Sequence, residues 1–228
     1  MKQSVKGLIF DFGGTIDTNG YHWSEVIRQE YECHNVRVAE EDLREAFRNA
    51  EISLGHNNII LPEDTYLKTL EKKISIHLKY LNIIDLSLSK RIAADCYAHV
   101  VTTVEAAKPV LEALRSDYQM VIVSNFYGNL ATIIAELGLT RYFRRVFDST
   151  VCGVRKPSVQ WFFDVAAYMG LQPKEIAVIG DSYKNDIAPA IEAGMESIWL
   201  RVKSWNKEDI EIQHPHIITS LASLLTTG

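Results

Sequence analysis

Val5-Lys6-Gly7-Leu8-Ile9-Phe10-Asp11-Phe12-Gly13-Gly14-Thr15 decides how this chain is read. A short apolar run ends in a carboxylate, and two glycines follow at once. Brief, apolar and closed by a breaker pair, the run reads as a buried strand. Asp11 then stands at its C-terminal end, the edge at which open parallel sheets bind ligands. The glycines let the backbone turn sharply and bring its own N–H and C=O groups near a ligand. A carboxylate beside exposed amides suits a metal ion and an anion together. An Asp that merely caps a turn would look the same in isolation, so the rest of the chain must separate the two.

From about Tyr21 to Val101 the texture is helical, with no convincing strand. Trp23, Val26, Ile27 and Tyr31 share one face; Leu43, Phe47 and Ala50 share another. Tyr66, Leu67, Leu70, Ile74, Leu78 and Leu81 form a third stripe, and Ile92, Ala93, Cys96, Tyr97 and Val100 a fourth. Pro62-Glu63-Asp64 reads as a helix entry, and Gly55-His56-Asn57-Asn58 as a polar break that could be a substrate loop or a plain connector.

After Val104, strands and helices alternate. Strands are expected at Gln119–Val123, Val146–Phe147, Ile176–Ile179 and Ser197–Leu200, with Ile217–Ile218 a short last one. Helices are expected at Ala106–Arg115, Leu130–Leu137, Val159–Met169, Ile187–Ala193 and Ser220–Leu225. Alternation of this kind predicts an α/β fold: a Rossmann-like parallel sheet with helices on both faces. The expected organisation is a core of residues 1–16 and 104–228, with a helical lobe, 17–103, inserted after the first strand. Linkers are expected near Asp17–Gly20 and Val101–Val104.

The chain's 228 residues suffice to bury a core without staples. A net charge of −5 lends no general support to nucleic-acid binding. No apolar stretch approaches a membrane span, and the first residues lack a secretory pattern. Cys33, Cys96 and Cys152 are odd in number and widely spaced, which suggests reduced thiols and a cytoplasmic location. A monomer or homodimer is expected.

Several strands end in polar groups: the first at Asp11, another at Ser124-Asn125, a third at Asp181. Lys156-Pro157 lies in a loop between the last two. The strand C-termini of a parallel sheet share one edge, so these groups should converge. Asp11, Asp181 and Asp186 would repel one another and a phosphate dianion unless a divalent cation sat among them. Mg²⁺ fits, because it takes oxygen ligands and keeps waters. Ser124 and the amides after Asp11 and Ser124 could cradle phosphate oxygens, and Lys156 could bridge nucleophile and phosphate.

The set Asp11-Phe12-Gly13-Gly14-Thr15, Ser124-Asn125, Lys156-Pro157 and Gly180-Asp181-Ser182-Tyr183-Lys184-Asn185-Asp186 resembles the haloacid dehalogenase-like hydrolase superfamily, phosphatase type. Four motifs appear in order over nearly the whole chain, and the inserted lobe looks like the helical cap placed between the first two. The resemblance implies that Asp11 attacks phosphorus to form an aspartyl-phosphate that water cleaves. It implies that Asp11, the Gly13 carbonyl, Asp181 and Asp186 hold Mg²⁺, while Ser124, Asn125 and Lys156 hold the phosphoryl group. Thr15 would support the loop. The expected substrate is a small phosphorylated metabolite.

One position departs from that pattern. Most phosphatases of the superfamily carry an Asp two residues after the nucleophile as general acid and base; here it is Gly13. Asp17 is acidic and nearby, but its spacing suits a hinge or cap role better. The loss argues against a phosphosugar mutase. It keeps open a phosphate-binding or regulatory protein with little turnover, and a metal-free dehalogenase, although that relative usually has a bulky residue at the position. Phosphonate hydrolases also lack the Asp and need a cap lysine; Lys68, Lys72, Lys73 and Lys79 read more simply as solvated charges on one helical face. His22, His34, His56, His77 and His99 read mostly as surface or structural, and Trp23, Trp161, Trp199 and Trp205 as core or interface aromatics.

Overall fold

The computed structural model describes residues 4–56, 59–203 and 211–226. The expected strand β1 (Gly7–Phe10) is wholly buried at the centre of a six-stranded sheet. The other strands are β2 (Gln119–Ser124), β3 (Arg145–Asp148), β4 (Ile176–Gly180), β5 (Glu196–Leu200) and β6 (Ile217–Ile218). The order is β3-β2-β1-β4-β5-β6, and every pairing is parallel. Parallel strands need covered faces, which is why β1, β2 and β4 are nearly continuous apolar runs.

Side chains alternate across the pleat and build two cores. Leu8, Phe10, Met120, Ile122, Ala177 and Ile179 face one side. Ile9, Val121, Val123, Ile176 and Val178 face the other, where α7 (Val159–Met169) packs Trp161, Phe162 and Val165 against them. Among the described residues the remaining short α-helices are α5 (Leu130–Glu136), α6 (Ser149–Cys152) and α8 (Ala188–Glu192), which follows a π-helical turn at Tyr183–Ile187; the helix expected at Ser220–Leu225 is a 3-10 turn, Leu221–Leu225.

Between β1 and β2 the described residues form four helices: α1 (Trp23–Cys33), α2 (Glu40–His56), α3 (Tyr66–Tyr80) and α4 (Leu86–Leu114). Their apolar stripes meet as the periodicity predicts: Ile27, Tyr31, Leu70, Ile74, Leu78, Ile92, Ala93 and Cys96 are buried together. The helix entry expected at Pro62–Asp64 comes slightly later, where the Thr65 hydroxyl accepts from the Lys68 amide at 3.3 Å and caps α3. The linker expected at Val101–Val104 is helix instead. α4 runs unbroken for 29 residues, joining two stretches that read as separate helices. Val100, Val104, Ala107 and Leu111 keep one buried stripe through the supposed break, so nothing favours interrupting it. No helix among the described residues is long and apolar enough to cross a membrane. Of the expected substrate loop, Asn57 and Asn58 lie outside the described residues, as does Trp205.

Hydrogen bonds fasten the inserted helices over the strand ends. Asn129 Nδ2 donates to the Asp64 carbonyl at 2.9 Å and to Thr69 Oγ1 at 2.7 Å. Glu136 on α5 accepts from the Tyr66 amide at 2.6 Å and the Tyr97 hydroxyl at 2.8 Å. Lys203 reaches Glu25 on α1 at 2.9 Å.

Candidate active site

Sheet register brings the polar groups together. Phe10 pairs with Ile122 on β2 and with Ile179 on β4. Asp11 therefore leaves the sheet one step below Ser124 on one side and Asp181 on the other. Asp11, Ser124, Lys156 and Asp181 line a single cavity of about 320 Å³, roofed by the inserted helices.

Lys156 lies at the centre of the charges. Its Nζ is 2.8 Å from Oδ1 of Asp11 and 2.6 Å from Oδ1 of Asp186, and it is almost wholly buried. Burial alone would favour the neutral amine, but Asp11 and Asp186 outweigh it and hold the pKa above that of an ordinary lysine. The Asn125 side chain fixes the lysine's backbone: Nδ2 donates to the Lys156 carbonyl at 3.0 Å, and Oδ1 accepts its amide at 2.9 Å. Each end of the Asn125 amide thus makes one bond to the Lys156 backbone, which holds that loop beside the cavity that Asn125 also lines. Besides pairing with Lys156, Asp186 accepts the Ser182 amide at 3.0 Å.

Asp11, Asp181 and Asp186 each place a carboxylate oxygen within 4.8 Å of the others. Burial raises the Asp181 pKa well above the usual carboxylate range, and the nearby Asp11 and Asp186 raise it further. Burial also pushes Asp186 up to about 6, against the pull of Lys156. Three carboxylates facing one ammonium leave an uncompensated negative charge, which a divalent cation would neutralise. The donor set is all oxygen, as Mg²⁺ requires. Neither the N–H nor the C=O of Gly13 has a protein partner among the described residues, so both remain open to a ligand.

The loop after Asp11 is more occupied than its sequence implies. The Phe12 amide donates to Asp11 Oδ1 at 2.7 Å, and the Gly14 amide to Asp17 Oδ1 at 2.7 Å. Neither is left for a phosphate. Thr15 supports the site as expected: its hydroxyl donates to Asp181 Oδ1 at 3.2 Å and accepts the Asp181 amide at 3.1 Å. Gly14 has φ +91°, and a Cβ there would overlap the Asp181 carboxylate, so only glycine lets the loop and that carboxylate approach. Gly13 is not in the left-handed region, and none of the described residues lies within 4 Å of where its Cβ would stand. Among the described residues, no other side chain occupies the place of the missing acid.

Asp17 is fully buried and outside the cavity. Trp23 Nε1 donates to its Oδ2 at 2.8 Å, and the Tyr66 hydroxyl donates to the same oxygen. Burial raises its pKa to about 6 despite those bonds. It ties the loop after Asp11 to α1 and α3.

Sequence reasoning missed the cavity's roof. Lys73 reads as one of four solvated lysines, but it is 6 % exposed and turned inward, paired with Glu51 at 2.6 Å. Lys68 and Lys72 do pair near the surface, both with Asp64. The signal was present in outline, since Lys73 falls between the buried Leu70 and Ile74 on α3. Nothing local says which partner would compensate it.

The model of the haloacid dehalogenase-like hydrolase family matches residues 5–194. Haloacid dehalogenase-like hydrolase domain-containing protein 3 of Xenopus laevis is 29 % identical over 61 % of this chain and 58 % of its own length, so the chain spans little more than half of that relative. A glyceraldehyde 3-phosphate phosphatase of Methanopyrus kandleri is 27 % identical over 77 % of this chain and 81 % of its own. The HAD-hydrolase YfnB of Bacillus subtilis, solved bound to magnesium, superposes with a TM-score of 0.61 at 19 % identity, covering 97 % of each chain. That likeness extends to the fold. With the four motifs gathered at one sheet edge and the family model spanning residues 5–194, this chain belongs to the haloacid dehalogenase-like hydrolase family.

Proposed function

We propose that the protein is a Mg²⁺-dependent phosphatase of small phosphorylated metabolites, acting through Asp11. The observation that carries this reading is the convergence of Asp11, Asp181 and Asp186 around one buried ammonium in a small roofed cavity. Phosphatase-named relatives support the substrate class.

In this reading a carboxylate oxygen of Asp11 attacks phosphorus. The bond to the leaving oxygen breaks, and its electron pair departs with that oxygen, which takes a proton from water. A second water then attacks the aspartyl-phosphate, releasing phosphate and restoring Asp11. Lys156 holds Asp11 in place and stabilises charge on the phosphoryl oxygens. Ser124 and the Gly13 amide supply neutral donors, and Asn125 positions Lys156. Asp11, the Gly13 carbonyl and Asp181 would hold Mg²⁺, with Asp186 positioned behind Lys156. The ion would neutralise phosphate and carboxylate charge together. Residues 17–103 act as a cap over a core of 1–16 and 104–228, excluding water and selecting the leaving group.

The test is phosphate release from p-nitrophenyl phosphate with Mg²⁺, with EDTA, and in Asp11→Asn. Turnover that needs both the metal and Asp11 supports the reading. Halide release from a 2-haloacid that persists in EDTA would favour a metal-free dehalogenase. Tight phosphate binding without turnover would favour a regulatory protein.

A further inference from the structure

The cavity roof holds an ion pair that the chemistry at its floor does not use. Lys73 on α3 and Glu51 on α2 meet at 2.6 Å. The Lys73 ammonium also lies over two rings, 5.2 Å from the centre of Trp23 and 5.1 Å from that of Phe47. The other Glu51 oxygen accepts the Tyr127 hydroxyl at 2.6 Å, and Tyr127 is three residues past Ser124. All five side chains line the cavity that contains Asp11. Lysine on a helix ordinarily keeps its head in water. A buried ion pair adds little stability over apolar packing, so its presence facing a cavity calls for a ligand.

The charges determine which ligand. As a unit the pair is neutral. His22 beside it is held neutral as well, because burial and Lys73 lower its pKa to about 4. A leaving group bearing a carboxylate would meet Glu51, and one bearing an ammonium would meet Lys73; each carries a like-charge penalty. A hydroxyl donates to the carboxylate and accepts from the ammonium, so it satisfies both members at once. Trp23 and Phe47 offer apolar faces to the carbon skeleton between the hydroxyls. A cavity of about 320 Å³ leaves room for a phosphoryl group and a few carbons.

We propose that Glu51, Lys73 and Tyr127 form a leaving-group subsite that selects phosphate esters of small, uncharged, hydroxyl-bearing alcohols over esters carrying a carboxylate or an ammonium. This rests on the phosphatase reading of the site below it.

The experiment measures kcat/KM with Mg²⁺ for glycerol 1-phosphate, phosphoglycolate and phosphoethanolamine, with p-nitrophenyl phosphate as a common reference. Wild type, Glu51→Gln and Lys73→Gln are compared. Wild type should favour glycerol 1-phosphate about tenfold over each charged ester. Glu51→Gln leaves an ammonium without its counter-charge, so its ratio of phosphoglycolate to glycerol 1-phosphate should rise about tenfold. Lys73→Gln should raise the phosphoethanolamine ratio instead. A gain toward one charge cannot come from poor folding. Equal rates on the three esters, a wild-type preference for a charged one, or ratios unmoved in both variants would overturn the subsite while p-nitrophenyl phosphate is still cleaved. No cleavage of p-nitrophenyl phosphate by wild type would overturn the phosphatase reading, and the subsite with it.

Discussion

Lys156 Nζ stands 2.6 Å from Oδ1 of Asp186, with both side chains almost completely buried. Asp186 does not itself line the cavity, and the side chain it pairs with there is that of Lys156, so its influence on the reaction passes mainly through the lysine. Asp186→Asn should therefore lower kcat by about 10- to 100-fold and leave Mg²⁺ affinity closer to wild type than Asp181→Asn does. Titrating activity against Mg²⁺ in both variants checks this. A larger loss of metal affinity in Asp186→Asn would make Asp186 a ligand.

Asp11→Asn should abolish turnover. Its oxygen is the proposed nucleophile, and an amide cannot form the acyl-phosphate. Beryllium fluoride or aluminium fluoride with Mg²⁺ should raise the melting temperature of wild type and not of the variant. Phosphatase activity surviving in Asp11→Asn would sink the mechanism.

Gly13 makes rate depend on the leaving group. A general acid contributes about 10² to 10⁴ in rate by protonating a poor leaving oxygen. Among the described residues, no side chain stands where that acid would be, and nothing lies within 4 Å of a Cβ at Gly13. Wild type should thus cleave aryl or acyl phosphates far faster than alkyl phosphates. Gly13→Asp fits the space without left-handed strain and should flatten the slope. The measurement is kcat/KM across phosphate monoesters of graded leaving-group pKa. A flat wild-type series would mean another proton donor, and the buried position of Asp17 makes it a poor candidate.

His77 gives a pH dependence of stability with a defined sign. It is wholly buried, its Nδ1 lies 2.8 Å from the Tyr31 hydroxyl, and burial, aided by Lys73, lowers its pKa to about 4 from 6.5. Between those values the unfolded chain binds the proton and the folded chain does not. Stability from this group is complete above pH 6.5 and is lost as pH falls toward 4. His77→Gln should remove about 3 kcal/mol of pH dependence across that window. Urea unfolding of both proteins at pH 7 and pH 4.5 checks it. His22 and Asp17 titrate in the same range and cancel in the difference. Parallel pH curves for the two proteins would show that His77 takes up its proton in the fold over the same pH range as in the unfolded chain.

What the sequence by itself determined is local. The apolar run before Asp11, the polar ends of β2 and β4, and the strand–helix alternation are each readable within a few residues, because burial on both faces and a sharp turn constrain neighbours in the chain. Parallel topology then requires Asp11, Ser124 and Asp181 to share an edge. The tertiary structure alone decided the partners. Asn125 bonds to a backbone 31 positions away, and Tyr127 to a carboxylate 76 positions away. Asp17 is fastened to Tyr66 from 49 positions away. Lys73 has the same spacing a solvated lysine would have; it is turned inward because Glu51, Trp23 and Phe47 arrive from other helices to compensate its charge. α4 passes through an expected linker for a related reason: its buried stripe continues from the inserted helices to the sheet, and only packing against both reveals it. A buried charge or an unbroken helix is stabilised by groups distant in sequence, and periodicity within one segment holds no record of them.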